Sequence, residues 1–260
     1  MTRSSKPIRS DIAWSTADRI SVRGLDLPSD ILGHMDLAAF SFLQLTGRSP
    51  APAEARVYNA LLITLVEHGL TPSALAARFT YAGAPESLQA AVAAGLCGLG
   101  SVFVGTTEGA ARMLSDALRG DATEADLAVV AQHVVAGFRE RGEMIPGIGH
   151  PIHKPVDPRT PRLFEIAAQE GLSGRYVELM RLIADEATRV YQRQLPVNAT
   201  GAIGALACEL ALPVKVVRGL GVMARAIGLV GHILEESEWP MATELWHRID
   251  DEATAHLRPH

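Results

Sequence analysis

The sequence predicts an all-α protein, and three observations support this fold class. Apolar residues recur at steps of three and four along several segments, as in residues 53–68, where Val57 and Leu61 mark one stripe. Alternating runs of β-branched and aromatic residues, which are typical of strands, occur only as short pieces such as residues 19–23. The apolar content, 48% of 260 residues with only 5% aromatic, is mainly Ala, Leu, Val and Gly and suits closely packed helices.

Capping residues place the ends of the predicted helices. Thr71 followed by Pro72 predicts a helix start, because threonine accepts a hydrogen bond at an N-cap and proline is tolerated in the first turn. Gly120 predicts a helix end. Together with the apolar periodicity, these signals predict one helix that begins at residue 71 and others over residues 53–68, 85–96, 108–118, 123–141, 173–192, 200–212 and 214–235.

Charge and composition limit the classes of function. The net charge of −5 argues against a nucleic-acid-binding protein, which needs a broad basic face. No apolar run approaches about 20 residues, so no membrane span is expected, and residues 1–10 lack the apolar segment of a secretory signal. Cys97 and Cys208 are too few for a disulfide framework and lack the spacing of metal ligands. We therefore expect a cytoplasmic protein without nucleic-acid or membrane partners and without a bound metal.

One long irregular segment interrupts the helices. Residues 144–161 contain five prolines and two glycines, which cannot continue a helix, and such segments are often functional. The glycines let the backbone approach a ligand closely. His150 ends the glycine turn, and Lys154 and Arg159 are cations that can hold carboxylates or phosphates. From spacing alone, a ligand-binding loop and a surface loop with incidental His and Arg both stay open, and so does a role for His153 in the same segment.

This segment resembles the citrate synthase family, in which a P-G-x-G-H turn is followed by a D-P-R tripeptide. The matching residues are Pro146, Gly147, Ile148, Gly149 and His150, followed by Asp157, Pro158 and Arg159. Residues 22–27, 67–78 and 225–236 are similar to the family's early R-G element, its histidine-bearing helix start and its C-terminal arginine helix. The branch that the chain resembles is the short citryl-CoA lyase-like proteins, which are related to the C-terminal module of ATP-citrate lyase.

The resemblance implies a domain organisation. It implies a large helical domain of residues 1–105 and 214–260, a small coenzyme A (CoA)-binding domain of residues 106–213, and a cleft between them. Closure of the two domains would expel water from the reaction site. It also implies a homodimer or higher homo-oligomer, and the apolar residues 85–99 suit a buried interface.

The resemblance also implies a reaction between the methyl carbon of an acyl-CoA and the carbonyl carbon of a 2-oxo acid. This chemistry needs a base beside the thioester, hydrogen-bond donors for the enolate and ketone oxygens, and cations for the carboxylates. By this resemblance His150 acts at the ketone or alcohol oxygen and His68 hydrogen-bonds the oxo acid. Arg159 and Arg225 bind its carboxylates.

The CoA site is implied in the same way. The turn formed by Pro146, Gly147, Ile148 and Gly149 matches the backbone against which the adenine end of CoA rests. Lys154 matches a phosphate contact less closely. CoA would be present as an acyl-CoA substrate or product, and no metal is expected.

Two residues depart from the family pattern. Val104 stands where the family has the thioester-side histidine of a G-P-L-H-G element, and Thr200 stands where it has the aspartate base of N-V-D. A threonine hydroxyl is no base near neutral pH, and a positioned base contributes roughly 10²–10⁴-fold. Glu108 is the nearest acidic substitute, although an acid in a first helical turn is also favoured by the helix dipole. Asn198 is expected to orient the chain around Thr200 and to border the substrate.

The leading expectation is a CoA-dependent carbon–carbon lyase that acts on a citryl-CoA-like thioester. His150 would accept the proton of the tertiary hydroxyl, and the bond would break to an acyl-CoA enolate and a 2-oxo acid such as oxaloacetate. Two alternatives stay open. One is a family enzyme that acts on a different acyl-CoA or generates its enolate by decarboxylation. The other is a non-catalytic homologue that binds CoA or an acid.

Overall fold

The computed structural model describes residues 8–102, 104–120 and 126–258. Within these ranges the chain forms eleven α-helices and one small sheet, which confirms the predicted all-α class. The helices are α1 Leu37–Thr46, α2 Pro52–Val66, α3 Pro72–Gly83, α4 Leu88–Cys97, α5 Gly105–Ala117, α6 Leu127–Arg141, α7 Arg159–Gln169, α8 Arg175–Tyr191, α9 Ala199–Glu209, α10 Val214–Glu238 and α11 Ala242–Thr254.

The small sheet precedes the helices. Its strands are β1 Ala13–Ser15, β2 Ile20–Val22 and β3 Leu25–Asp26, paired antiparallel in the order β1-β2-β3. Arg23, at the turn after β2, donates from Nη2 to the carbonyl oxygen of Gln44 at 2.5 Å. This bond ties the sheet to the last turn of α1.

The predicted start of α3 is confirmed, whereas α5 ends at Ala117, three residues before the predicted end signal Gly120. Thr71 caps α3 by accepting a hydrogen bond from the backbone N–H of Ala74, and Pro72 is the first helical residue. The predicted start of α6 at residue 123 lies outside the described residues. The sequence patterns do not predict α1, α7 or α11. Apolar residues lie on most sides of α1, so its sequence shows no clear helical periodicity. Helix α7 begins inside the proline-rich segment, where Pro161 is tolerated because it lies in the first turn.

The centre of the core is α9, whose residues from Ala199 to Ala207 are buried except Thr200. Gly204 lets α5 approach closely, because a Cβ at that position would lie 2.8 Å from the Cβ of Ala110. Such a contact is tighter than side chains tolerate. The N-terminal end of α9 is therefore fixed relative to α5 and carries the segment around Asn198.

Helix α10 is long and apolar, with a mean hydropathy of 1.4 over its most apolar 18 residues. By length and composition it could cross a membrane, which corrects the expectation that no segment approaches that length. Half of this window is buried inside the protein, where α10 packs against α2, α3, α4 and α5. A core helix meets the same criterion, so the criterion alone is weak evidence for a membrane span.

The packing of α10 against α5 joins the two predicted domains. The predicted boundaries at residues 105 and 214, and the cleft between the domains, stay predictions. The homo-oligomer and the cytoplasmic location also stay predictions.

Candidate active site

Three histidine side chains come together at one point of the structure. His68 lies in the turn between α2 and α3, whereas His150 and His153 lie in the irregular segment before α7. The ring centroids are 4.4 Å apart for His150 and His153, 5.9 Å for His68 and His153, and 6.2 Å for His68 and His150. The structure therefore joins the two predicted histidines and adds His153, whose role the sequence left open.

The backbone after His150 determines where its ring carries a proton. Nδ1 of His150 lies 3.1 Å from the backbone nitrogen of Ile152 and 3.0 Å from that of His153. Backbone N–H groups only donate, so Nδ1 is an acceptor and the neutral ring is protonated on Nε2. Burial, and next the charge of His153, lower the pKa of His150, which favours this neutral form. In this tautomer His150 offers a hydrogen-bond donor at Nε2, and its predicted role as the acceptor of a hydroxyl proton stays a prediction.

Arg159 begins α7 and is held by a carboxylate of its own loop. Its Nε and Nη2 donate to Oδ1 and Oδ2 of Asp157 at 2.9 and 2.8 Å. Asp157 is fully buried and also accepts the N–H of Ala199 at 2.8 Å. Burial alone would raise the pKa of Asp157, but the hydrogen bonds from Arg159 and Ala199 outweigh it and lower the pKa to about 2. Arg159 is thus oriented by an internal partner, which the sequence did not predict.

Arg225, on α10, is buried without a carboxylate partner. Its Nε donates to the carbonyl oxygen of Leu65 at 3.4 Å and its Nη1 to the hydroxyl oxygen of Thr71 at 3.3 Å. No carboxylate oxygen of the described residues lies within 4.0 Å of this guanidinium, which is only 9% exposed. Burial lowers the pKa of Arg225, and the charge of nearby Glu67 offsets this effect only in part. A buried cation without a directly paired carboxylate is costly, so this position favours an anionic ligand.

The two arginines lie close enough to the histidines to act on them. Partial burial and the charge of Arg159 lower the pKa of His68, and His153 and Arg225 add to this effect. The cluster of His68, His150, His153, Arg159 and Arg225 therefore combines three imidazoles with two guanidinium groups. This combination can hold a multiply charged acid and hydrogen-bond its other oxygens.

The predicted P-G-x-G-H turn is fixed to the segment before α9. The backbone N–H of Asn198 donates to the carbonyl oxygen of Gly147 at 3.0 Å, and that of Gly149 donates to Pro196 at 2.7 Å. Gly147 has φ +83°, and a Cβ there would collide with Gly201 of α9. Gly147 thus lets the turn approach α9 closely. The predicted contact of the turn with CoA stays a prediction.

The other residues of the predicted CoA site lie nearby. Pro146 packs against α5, where a Cβ on Gly109 would be 3.2 Å from the Cβ of Pro146. Ile148 forms an isolated antiparallel bridge with Val197. Lys154 is exposed on the surface of the segment, four residues beyond His150.

Asn198 connects the start of α9 with the residue before His150. Its Nδ2 donates to the carbonyl oxygen of Gly149 at 2.6 Å. Its Oδ1 accepts the N–H groups of Thr200 and Gly201 at 3.0 and 3.1 Å and the Thr200 hydroxyl at 2.7 Å. The hydroxyl proton of Thr200 is therefore directed at Asn198, and the Asn198 side chain holds the start of α9 against the residue before His150. The predicted contact of Asn198 with the substrate stays a prediction.

Comparisons with known proteins show the family to which the chain belongs. The family model "Citrate synthase, C-terminal domain" matches residues 16–244. The chain belongs to this family. The structure of citryl-CoA lyase from Hydrogenobacter thermophilus is similar, with a TM-score of 0.81 and 31% identity over 89% of this chain and 87% of that chain.

Two longer members of the family are also similar. ATP citrate lyase from Methanothrix soehngenii, solved with citrate and coenzyme A, has a TM-score of 0.75 and 23% identity over 91% of this chain and 40% of that chain. A probable ATP-citrate synthase of Dictyostelium discoideum is 24% identical over 250 residues, which are 90% of this chain and 39% of that protein. The chain thus spans well under half the length of this relative. The predicted resemblance to enzymes of the citrate synthase superfamily and the predicted fold are confirmed.

The two departures from the family pattern have structural consequences here. Val104 is buried at the start of α5 and packs against Gly221 of α10, where a Cβ would collide with its side chain. Glu108 pairs through Oε1 with Arg112 at 2.6 Å and through Oε2 with Arg218 at 2.9 Å. Both carboxylate oxygens of Glu108 are occupied. To act as a substitute base, this carboxylate would first have to leave one arginine.

The three histidines also have the geometry of metal ligands, although the sequence showed no metal pattern. One ring nitrogen from each of His68, His150 and His153 lies within 4.8 Å of the other two. However, Arg159 and Arg225 both act on His68 through their charges. Two neighbouring cations disfavour a third, so these residues fit an anion better than a divalent metal.

Proposed function

We propose that this chain breaks or forms the carbon–carbon bond of a citryl-CoA-like thioester. The products of cleavage would be an acyl-CoA and a 2-oxo acid such as oxaloacetate. The observation that carries this proposal is Arg225, a buried guanidinium with no carboxylate oxygen of the described residues within 4.0 Å, close enough to lower the pKa of His68 through its charge. The likeness to citryl-CoA lyase, at 31% identity over most of both chains, supports the same reaction.

The carboxylic acid would be held by guanidinium groups from two helices, α7 and α10. Arg225 supplies a guanidinium from α10, and Arg159 supplies one from the start of α7. Two of the five N–H groups of Arg159 are bonded to Asp157, so both N–H groups of Nη1 and the second N–H of Nη2 remain for a ligand. His68 has no ring hydrogen bond within the described part of the chain, and it would bind another oxygen of the acid.

In the cleavage direction, the tertiary hydroxyl must lose its proton as the carbon–carbon bond breaks. The electron pair of that bond passes to the thioester side as an enolate, and the hydroxyl carbon becomes the ketone of the oxo acid. His150 would donate its Nε2–H to this oxygen. His153, whose imidazole has no hydrogen-bond partner in the described ranges, would accept the proton. Solvent would then protonate the enolate carbon.

The replacement of the family aspartate by Thr200 removes the group that would move a proton at the acyl carbon. Synthesis and cleavage pass through the same transition state, so this loss would slow both directions alike unless solvent or another side chain moves the proton. A reaction that generates the enolate by decarboxylation would avoid the missing base, so this second candidate stays compatible with Thr200.

CoA itself would lie along the Pro146–Gly149 backbone, with Lys154 at a phosphate. The ATP citrate lyase structure contains citrate and coenzyme A, which supports this ligand class for the fold. The homo-oligomer and the cytoplasmic location are proposed on the family resemblance and the cysteine content alone.

The proposal is tested by incubating the purified protein with citryl-CoA and following acetyl-CoA and oxaloacetate. We expect cleavage by the wild type and a loss of roughly 10²–10⁴-fold in His150→Ala. His247→Ala, which changes an exposed histidine outside the cluster, should retain full activity. A wild-type protein that binds citrate and CoA but does not turn over any acyl-CoA would instead be a non-catalytic homologue.

A further inference from the structure

A chain of polar side chains lies behind His68, and the proposed reaction does not use it. Arg78 of α3 is 1% exposed, and His232 of α10 is 9% exposed. Arg78 approaches Nδ1 of His232 with Nε at 3.3 Å and with Nη2 at 3.0 Å. On the other side of the ring, Nε2 of His232 lies 3.1 Å from Oε1 of Glu67. Glu67 directly precedes His68.

The arginine determines the tautomer of His232. A guanidinium has only donors, so Nδ1 of His232 must accept and cannot carry a proton. The proton of the neutral ring is therefore on Nε2, which donates to Glu67. His232 thus has one defined orientation and one defined tautomer, set by Arg78.

Glu67 connects His232 to the backbone of the turn that carries His68. Its Oε1 accepts the N–H of His68 at 2.8 Å and the N–H of Gly69 at 2.6 Å, besides the proton of His232. Burial alone would raise the pKa of Glu67, but these hydrogen bonds outweigh it and lower the pKa. The ionised form of the carboxylate is therefore favoured, and it accepts hydrogen bonds from the peptide N–H groups on both sides of the His68 side chain.

One face of α10 contacts the whole turn that carries His68. Arg225, Gly228 and His232 are spaced by three and four residues and so share this face. A Cβ at Gly228 would collide with the carbonyl oxygen of Val66, so glycine is needed for this approach. The turn that carries His68 is thus held by α10 through Arg225, through contact at Gly228, and through His232.

The far end of the chain is anchored as well. Arg78 donates to Glu236 at 2.9 Å and also pairs with Glu235. Glu236 is itself buried and accepts the N–H groups of Met241 and Ala242 at 2.9 and 2.8 Å. Arg78 is therefore fixed by the region where α10 ends and α11 begins.

We propose that Arg78, His232 and Glu67 form a positioning relay that holds His68 in place to bind the carboxylic acid. This inference rests on the proposed function, since it gives the acid site its supporting residues. His232 and Glu67 act through His68, and they are positioning residues.

A double-mutant cycle tests the relay, with citrate as the probe and calorimetry as the measurement. His232→Leu should weaken citrate binding by roughly 10–100-fold, by analogy with the loss typical when residues that orient a metal-binding histidine are removed. His232→Gln should recover most of the affinity, because its amide N–H can still donate to Glu67. In the His68→Ala background, His232→Leu should change the affinity less than about twofold, because residues that act through one another are not additive. An equal loss in both backgrounds would assign His232 a general structural role and overturn the proposal.

Two further measurements keep the inference separate from the proposed function. ¹⁵N NMR of the ligand-free protein should show His232 protonated on Nε2 and unprotonated on Nδ1, and the opposite tautomer would overturn the relay whether or not citrate binds. Absence of citrate binding by the wild type would contradict the proposed function. The NMR result would then still test the relay by itself. If His232→Leu does not fold, Glu67→Gln takes its place in the cycle. This substitution removes the negative charge that accepts the N–H groups of the turn, and it keeps one acceptor oxygen.

Discussion

Arg159 donates two parallel hydrogen bonds to Asp157, from Nε to Oδ1 at 2.9 Å and from Nη2 to Oδ2 at 2.8 Å. The same carboxylate accepts the backbone N–H of Ala199 at the start of α9. One buried aspartate therefore joins the first residues of α7 and α9. Because Arg159 belongs to the proposed acid site, Asp157 both stabilises the fold and orients a binding residue.

Asp157 should make the protein sensitive to acid in a defined pH range. Its pKa is about 2 in the folded protein, against an ordinary value of 3.8. A carboxyl group whose pKa is lowered by folding contributes stability above its ordinary pKa, and this contribution is lost as the pH falls from about 4 through about 2. The shift corresponds to roughly 2 kcal/mol of the free energy of unfolding.

Denaturant unfolding between pH 6 and pH 2 measures this contribution. Asp157→Asn should be less stable than the wild type at pH 6 and should lose less stability below pH 4. Asp251→Asn, which removes an exposed aspartate, should keep the wild-type pH dependence. Identical pH profiles for the wild type and Asp157→Asn would contradict the assignment.

The distance along the chain explains which features the sequence could predict. The start of α3 follows from Thr71 and its neighbour, because capping is a local interaction. The pairing of Arg78 with His232 joins residues 154 positions apart, and no local pattern contains it. The closeness of His68 and His150 was predicted from the family resemblance and not from periodicity. His153 could have been included, since it lies only three residues beyond His150 in the same segment.

Arg225 should dominate the binding of the acid. Arg225→Leu should weaken binding of citrate or oxaloacetate by about 2–4 kcal/mol, the loss expected for a buried, charged hydrogen bond. Arg225→Lys should give a smaller loss, because it retains the charge but not the planar fork of donors. Calorimetry measures both, with the exposed Arg258→Leu as a control that should bind normally. Unchanged affinity in a folded Arg225→Leu variant would place the acid elsewhere.

His153 should affect turnover more than binding. If it accepts the hydroxyl proton, His153→Ala should lower kcat for citryl-CoA cleavage by roughly 10²–10⁴-fold and change citrate affinity little. Steady-state kinetics together with calorimetry separate the two effects. A rate within about threefold of the wild type would show that the proton goes to another group, and His68 would be the next residue to test.

Thr200 should limit the exchange of acyl-CoA protons. Its hydroxyl proton is directed at Asn198, so acetyl-CoA in deuterated water should exchange its methyl protons slowly with the wild-type protein. Thr200→Asp should raise this exchange, because it introduces a carboxylate that can act as a base, and the first turn of α9 favours a negative charge. The gain should stay below the full ~10²–10⁴-fold, since Val104 still replaces the thioester-side donor and catalytic groups that act together are not additive.

Two further variants decide what a measured exchange means. Thr200→Asn has nearly the size of Thr200→Asp but no basic group, so it should not raise the exchange above the wild-type rate. Glu108→Gln tests the remaining acid, whose two oxygens pair with arginines. If it abolishes a measurable wild-type exchange, Glu108 is the base and must leave an arginine to act. If the wild type exchanges quickly and Glu108→Gln has no effect, neither Thr200 nor Glu108 explains the chemistry. Mass spectrometry of the recovered acetyl-CoA gives the rate in each case.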